Sequence, residues 1–269
     1  MQKRGQVAVF VVIGIAVVIL FVLLFYYKNT LIGAAKSKIN TEQYLNDQLA
    51  DIQKNVIEKC AISETNDAIK LFLDDGGEFS EPLNFLKYHE KKYRILCQNI
   101  PGKGICLSSP LTVSKVNEQF TKYLKEKINN CMDFTDFENN NYQVIYPDEL
   151  GLSTTLNLDS FIVELNYPVE LSKNEFKVKG QKVTKTFDVP LGEIIKEVNG
   201  VLDFRAKFNI FDPVTYALIS HNKYDVTVNK PYPDEVYDAV LTDNPNYHFY
   251  FAITGEGRYD RLEGSRWNS

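Results

Sequence analysis

The hydrophobic and polar positions of the chain follow three successive patterns. Residues 7–27 form an uninterrupted apolar run without charge or proline. After this run, apolar residues recur at spacings of three and four, which is the period of an amphipathic helix. From Tyr142 onward, apolar and polar residues alternate, as they do in strands with one solvated face. The pattern therefore predicts an apolar helix, a helical segment and then a sheet-rich domain.

The apolar run predicts a transmembrane helix, because about 20 mostly apolar residues cross a ~30 Å hydrocarbon core. Tyr26, Tyr27 and Lys28 close the run, and such residues favour the headgroup level of a bilayer. A cleavable secretory signal is the alternative, but no Ala-x-Ala-like site follows the run. We therefore expect a single-pass protein of the cell membrane, with lipid as a partner. Its amino terminus would be cytoplasmic and its carboxyl-terminal domain extracytoplasmic.

The residues just before the run carry a second signal. Lys3-Arg4-Gly5-Gln6 leads directly into the apolar stretch and resembles the class III signal peptide of archaeal pilins and archaellins. The resemblance implies that a prepilin-type peptidase cuts between Gly5 and Gln6. It also implies that the apolar helix stays on the mature subunit and packs in a filament core. Phe10 stands where bacterial type IV pilins carry a glutamate.

Helical stripes continue beyond the apolar run. Leu45, Leu49, Ile52, Val56 and Cys60 lie at helical spacings and predict a stalk helix. Three further stripes predict helices: Ala68, Ile69, Phe72 and Leu73, ended by Gly76-Gly77; Val116, Phe120, Leu124, Ile128 and Cys131, capped by Ser114; and Leu191, Ile194, Ile195, Val198, Val201 and Leu202, opened by Pro190. A cysteine on a helix followed by a Gly-Gly turn resembles single-pass membrane-anchored surface proteins of small-genome archaea, which implies a location.

Strands that follow helices, rather than alternating with them, indicate an α+β fold. We expect the transmembrane helix to continue into a stalk helix. A globular domain follows, with a mostly antiparallel sheet and one or two packed helices. Four divisions are predicted: a basic head and transmembrane helix at 1–28, a stalk at 29–75, an α+β domain at 76–254 and a mobile tail at 255–269. A division of the α+β domain into two subdomains near residue 140 is left open.

The four cysteines are Cys60, Cys97, Cys106 and Cys131. An even count in an extracytoplasmic domain predicts two disulfides, and three pairings are possible. We prefer Cys97–Cys106, which closes a short loop, and Cys60–Cys131, which joins two helix ends. Four free buried thiols are the alternative. A zinc site is disfavoured because no Cys-x-x-Cys spacing occurs.

Charge and motif content argue against several functions. The net charge is −5, and residues 1–28 contribute three basic residues and no acid, so the remainder is more acidic still. Such a surface argues against nucleic acid as a partner. The features weighed for chemistry are three isolated histidines (His89, His221 and His248), a Gly102-Lys103-Gly104 loop without the Walker spacing, and an acidic group that could hold calcium (Asp133, Asp136 and Glu138). No catalytic, metal-binding or cofactor-binding residue is predicted.

The sequence thus favours a non-enzymatic, membrane-anchored extracytoplasmic envelope protein with a structural or binding role and no cofactor. A homo-oligomer or another envelope protein is the expected protein partner. The alternative is a pilin-like subunit of a surface filament, processed after Gly5. The identity of a ligand does not follow from the sequence.

Overall fold

The computed structural model describes residues 15–27, 42–79, 84–100, 105–140, 142–208, 210–219, 224–242 and 244–255. After an amino-terminal helix at 15–27, the helical elements are α1 (residues 42–51), a π-helical segment (Ile52–Glu58), α2 (Lys59–Asp74), α3 (Val113–Cys131), α4 (Thr135–Asn139), α5 (Leu191–Phe208) and α6 (Pro213–Ile219). The strands are β1 (Phe85–Tyr88), β2 (Lys91–Ile100), β3 (Ile105–Ser108), β4 (Gln143–Ile145), β5 (Gly151–Leu156), β6 (Phe161–Asn166), β7 (Glu170–Lys173), β8 (Phe176–Lys179), β9 (Val183–Phe187), β10 (Tyr224–Asn229), β11 (Glu235–Leu241) and β12 (Asn244–Thr254). The fold is α+β, and its globular part is mostly sheet.

The predicted transmembrane helix is wrong. Among the described residues, no helix is both long and apolar enough to cross a membrane. The described part of the apolar run, residues 15–27, is a helix that covers about 20 Å at 1.5 Å per residue, against the ~30 Å of a hydrocarbon core. This finding contradicts three predictions. They are the single-pass anchor at 7–27, its continuation into a stalk and the localisation in the cell membrane.

Other sequence predictions lie outside the described residues. They concern the Gly5–Gln6 cleavage site, the first part of the predicted stalk at 29–41, His221 and the tail beyond Gly255.

The chain folds as two compact units. The first combines three separate stretches, Met1–Gln53, Phe134–Tyr146 and Val169–Gly180. Its sheet is antiparallel in the order β4-β7-β8, with Leu171 of the central strand paired to residues of both neighbours. Leu171 is fully buried, and so is Leu45 of α1, so this unit has a small apolar core of its own.

The π-helical segment shifts the predicted helical stripe by one position. Spacing alone places Val56 on the buried face after Ile52, but Val56 is only half-buried and Ile57 is 1% exposed. A π-helical turn brings residues i and i+5 onto the same face, so Ile52 is followed by Ile57. The stripe then continues in α2 with Cys60, which is buried as predicted.

The second unit consists of Lys54–Asp133, Pro147–Pro168 and Gln181–Ser269. Its larger sheet has the order β1-β2-β12-β11-β10, and β3 pairs with β2 as well. All pairs in this sheet are antiparallel except β12 with β2. A second antiparallel sheet has the order β5-β6-β9. The prediction of a mostly antiparallel sheet agrees with this topology.

The ends of α2 and α3 show how local sequence stops and starts helices. α2 ends where Gly76 and Gly77 adopt positive φ angles of 68° and 90°, which suits glycine. The Gly77 amide donates to the Phe72 carbonyl at 2.7 Å, and this closes the end of the helix. At α3 the capping residue is Thr112, whose side chain accepts from the Lys115 amide, so the predicted Ser114 cap is wrong by two positions.

Two disulfides stabilise the second unit. Cys60 is joined to Cys131 with a Cα–Cα distance of 6.0 Å, and Cys97 is joined to Cys106 at 5.7 Å. The pairing preferred from the sequence is the pairing in the structure. The first bond links α2 to the end of α3, where Phe72 and Phe120 also pack with ring centroids 4.9 Å apart. The second links the neighbouring strands β2 and β3.

The two disulfides should contribute unequally to stability. Cys60 and Cys131 are 71 residues apart and Cys97 and Cys106 only 9. In the chain-entropy model these loops correspond to about 4.4 and about 2.6 kcal/mol. Urea unfolding of Cys60→Ala/Cys131→Ala and of Cys97→Ala/Cys106→Ala should therefore show the larger loss in the first variant. A larger loss in the second would mean that local strain or residual unfolded structure, rather than loop length, sets the contribution.

Candidate binding groove

Helix α5 is fixed at its start by the loop between β5 and β6. The Glu193 amide donates to the Leu158 carbonyl at 3.0 Å. A Cβ at Gly192 would lie only 2.2 Å from the Asn157 carbonyl oxygen, so no larger residue fits at this contact. Pro190 precedes the first turn, as predicted, where its missing amide hydrogen has no helical partner to lose.

Two faces of α5 serve different purposes. The face predicted from the sequence is buried in the core, and its residues are Leu191, Ile194, Ile195, Val198, Val201 and Leu202. A second stripe lines a cavity and also follows helical spacing: Glu193, Lys196, Glu197, Gly200, Asp203, Phe204, Lys207 and Phe208. This second stripe mixes charged, small and aromatic residues.

Helix α6 forms the opposite side of the cavity. The sequence analysis did not predict this helix. Its start is marked by Asp212, whose carboxylate accepts from the Val214 and Thr215 amides at 3.2 and 3.3 Å. Asp followed by Pro213 is an N-cap with proline in the first turn, so the signal was present. α6 directs Tyr216 inward, and the Tyr216 ring meets Phe204 edge-on at 5.5 Å.

The space between α5 and α6 is a groove of ≈560 Å³, a size typical of small-molecule sites. Its walls are mainly apolar and are formed by Leu158, Phe204, Phe208, Tyr216 and Ile219. Several of these side chains are also exposed to solvent, including Leu158, Phe208 and Ile219. An open groove with aromatic and aliphatic walls can bind the apolar part of a ligand.

Glu197 is the buried polar group of this groove. The residue lines the groove and is 6% exposed. Burial raises the pKa of its carboxyl, while a hydrogen bond from Tyr216 and the charge of Lys196 act in the opposite direction. Its Oε1 atom is buried and has no hydrogen-bond partner among the described residues. Most buried polar atoms in proteins are satisfied, so this oxygen marks an incomplete interaction.

Gly200 allows Tyr216 to approach Glu197. A Cβ at Gly200 would lie 2.7 Å from the Tyr216 hydroxyl oxygen, which is too close for a side chain. Glycine inside a helix costs about 1 kcal/mol relative to alanine. The close approach of the Tyr216 hydroxyl explains why α5 carries glycine there.

A second buried carboxylate in the same unit has a full set of partners. Glu235 on β11 accepts from Arg205 Nε at 2.9 Å and from the Tyr237 hydroxyl at 2.6 Å. Its other oxygen lies 3.7 Å from the Lys230 ammonium. Burial, together with the neighbouring Glu235, raises the pKa of the Tyr237 hydroxyl. Glu235 is therefore one half of a structural ion pair, and unlike Glu197 it has partners for both of its carboxylate oxygens.

The two described histidines, His89 and His248, and the four cysteines lie away from this groove. His248 on β12 shares a hydrogen bond with Asp238 at 3.0 Å and stacks on Tyr250, which fits its interpretation as a sheet residue. His89 is in the turn between β1 and β2 with a positive φ angle. The four cysteines are taken up by the two disulfides.

The acidic candidates do not form a metal site in the described part of the chain. Asp136 and Glu138 lie in the short helix α4, and Asp133 stands two residues before its start. No group of three or more potential ligands comes together among the described residues.

A double-mutant cycle tests the close approach of Tyr216 to α5. Gly200→Ala should lower the free energy of unfolding by about 1 kcal/mol, because displacing the Tyr216 hydroxyl leaves the buried Glu197 unbonded. In the Tyr216→Phe background the same change should instead stabilise by up to about 1 kcal/mol, through helix propensity. Urea unfolding of the four proteins measures both values. Equal effects in the two backgrounds would contradict the close approach.

Comparisons with known proteins give no relative for this chain. No protein-family model matches it. Searches of the curated proteins and of the solved structures find no significant match either. The groove and its residues are therefore the basis on which a function is assigned.

Proposed function

We propose that this chain is a non-catalytic binding protein that takes a small ligand with an apolar body into the groove between α5 and α6. The observation that carries the proposal is the groove itself, with its aromatic and aliphatic walls around one buried carboxyl. Sites of this kind combine mainly apolar walls with a few polar groups that orient the ligand.

The composition of the groove supports binding rather than catalysis. Its described lining residues include one buried carboxyl, Glu197, and no histidine, cysteine or serine that could act as a nucleophile or its base. The two disulfides favour a compartment in which such bonds persist. They also fix the second unit, and a preformed site loses less entropy on binding.

Binding can be tested with 1-hexanol as an apolar probe. Titration followed by NMR should shift the ring resonances of Phe204, Phe208 and Tyr216 in a saturable way. Phe208→Ala removes an exposed wall of the groove and should weaken binding about ten-fold, which corresponds to about 1.4 kcal/mol. Leu107→Ala changes another exposed apolar residue, on β3, and is the control that should bind as the parent does. Unsaturable shifts, or equal losses in both variants, would exclude the groove.

We also propose a second candidate function, a filament subunit that assembles through the amino-terminal helix. Every described large apolar side chain in residues 15–27 is 46–73% exposed, and the stretch has no charge. Exposed apolar surfaces of this size commonly mark interaction sites. The partner would be a second copy of the same helix. The resemblance of the amino end to archaeal class III signal peptides supports this candidate.

Sedimentation velocity of the purified full chain tests assembly. Val18→Ser/Val22→Ser/Phe25→Ser changes one face of the helix and should abolish oligomers. Phe85→Ser/Leu107→Ser changes exposed apolar residues elsewhere and should leave them intact. In protein from its native cell, a mass spectrum that starts at Gln6 would support the filament. A monomeric parent chain that retains Met1 would exclude it.

A further inference from the structure

The two oxygens of the Glu197 carboxyl differ in their surroundings. One accepts the hydrogen bond from Tyr216, and Oε1 has no partner among the described residues. An ionised carboxylate can only accept hydrogen bonds, so in its ionised form Glu197 needs a donor as the missing partner. A buried carboxylate without a full set of partners costs free energy, and a donor that enters the groove reduces this cost.

Helix α5 supplies no such donor to Glu197. Side chains on a helix meet across one turn, at spacings of three and four. The positions one turn from Glu197 are occupied by Glu193, Ile194, Gly200 and Val201, and none of these offers a side-chain cation. Lys196 is adjacent in sequence, and neighbours at i and i+1 do not face each other on a helix.

The surroundings of the carboxyl favour a cation over a neutral donor. Glu193 and Asp203 add carboxylates to the same stripe of α5. Aromatic rings attract cations: the Lys207 ammonium already lies 5.3 Å from the centre of the Phe208 ring, and the rings of Phe204 and Tyr216 also line the groove. A charge-assisted hydrogen bond is about twice as strong as a neutral one, and the difference grows where water is excluded.

We propose that the groove selects primary amines: the ammonium group pairs with the unpartnered oxygen of Glu197, and the apolar body lies against the aromatic walls. The selection rests on the proposed function, because it requires that ligands enter the groove. The proposal also specifies the head group of the ligand, because the apolar walls by themselves specify only its apolar body. Lys196 and Lys207, at the same groove, disfavour ligands with several positive charges.

Three probes of equal chain length separate the head group from the body: n-hexylamine, 1-hexanol and hexanoate. Isothermal titration calorimetry at neutral pH, with the full chain and its disulfides intact, should rank them in that order. Hexylamine should bind about ten-fold more tightly than hexanol, and hexanoate should bind most weakly. In Glu197→Gln the amine and the alcohol should bind alike. Glu118→Gln removes an exposed charge from α3 and should keep the preference for the amine.

The outcomes distinguish the selection from the binding function. Equal binding of hexanol and hexylamine to the parent chain would leave the groove as a binding site and overturn the selection of amines. A preference that persists in Glu197→Gln would likewise overturn the role of this carboxyl. Binding of none of the three probes would overturn both proposals. Circular dichroism and urea unfolding of Glu197→Gln establish that a lost preference does not reflect a lost fold.

Discussion

The position of α5 in the second unit depends on a buried carboxylate. Glu235 lies on β11, where an unpaired charge would cost several kcal/mol, and Arg205 of α5 supplies its main partner. The Tyr237 hydroxyl donates to the same oxygen, and its ring packs between Phe211 and Phe251. The ion pair therefore joins α5 to the sheet at a buried point. Because one side of α5 is held in this way, its other side can line a groove.

Helix α5 faces the core on one side and the groove on the other, and its polar groups have different surroundings on the two sides. On the core side of α5, Arg205 pairs with Glu235, and apolar residues fill the remaining space. On the groove side, glycine at position 200 lowers helix propensity and lets Tyr216 reach Glu197, yet one oxygen of that carboxyl has no partner among the residues that the structure describes. Proteins commonly tolerate such local costs where a ligand supplies the missing contact. The contrast between these two sides is the reason for placing function at the groove.

Several features could be predicted because they depend on residues close in sequence or on simple periodicity. The spacing of Val116, Phe120, Leu124 and Ile128 predicts a helix with these residues buried, and α3 buries all four. The alternation of apolar and polar residues predicts the last three described strands, β10, β11 and β12, which belong to the larger sheet. Hydrophobicity alone is less decisive, since the apolar run that predicts a membrane span is a short helix where it is described.

The sequence by itself determined the α+β class, most helices and strands, and a cysteine count that allows two disulfides. Only the tertiary structure decided which segments share a unit, since three distant stretches build the first one. It also decided the difference between two glutamates that periodicity cannot distinguish. Glu235 meets Arg205, whereas Glu197 accepts a hydrogen bond from the Tyr216 hydroxyl of α6 and has one oxygen without a partner in the described part of the chain. The partners of a buried charge come from elements distant in sequence, so the pairing that separates a fully partnered carboxylate from a partly partnered one exists only after folding.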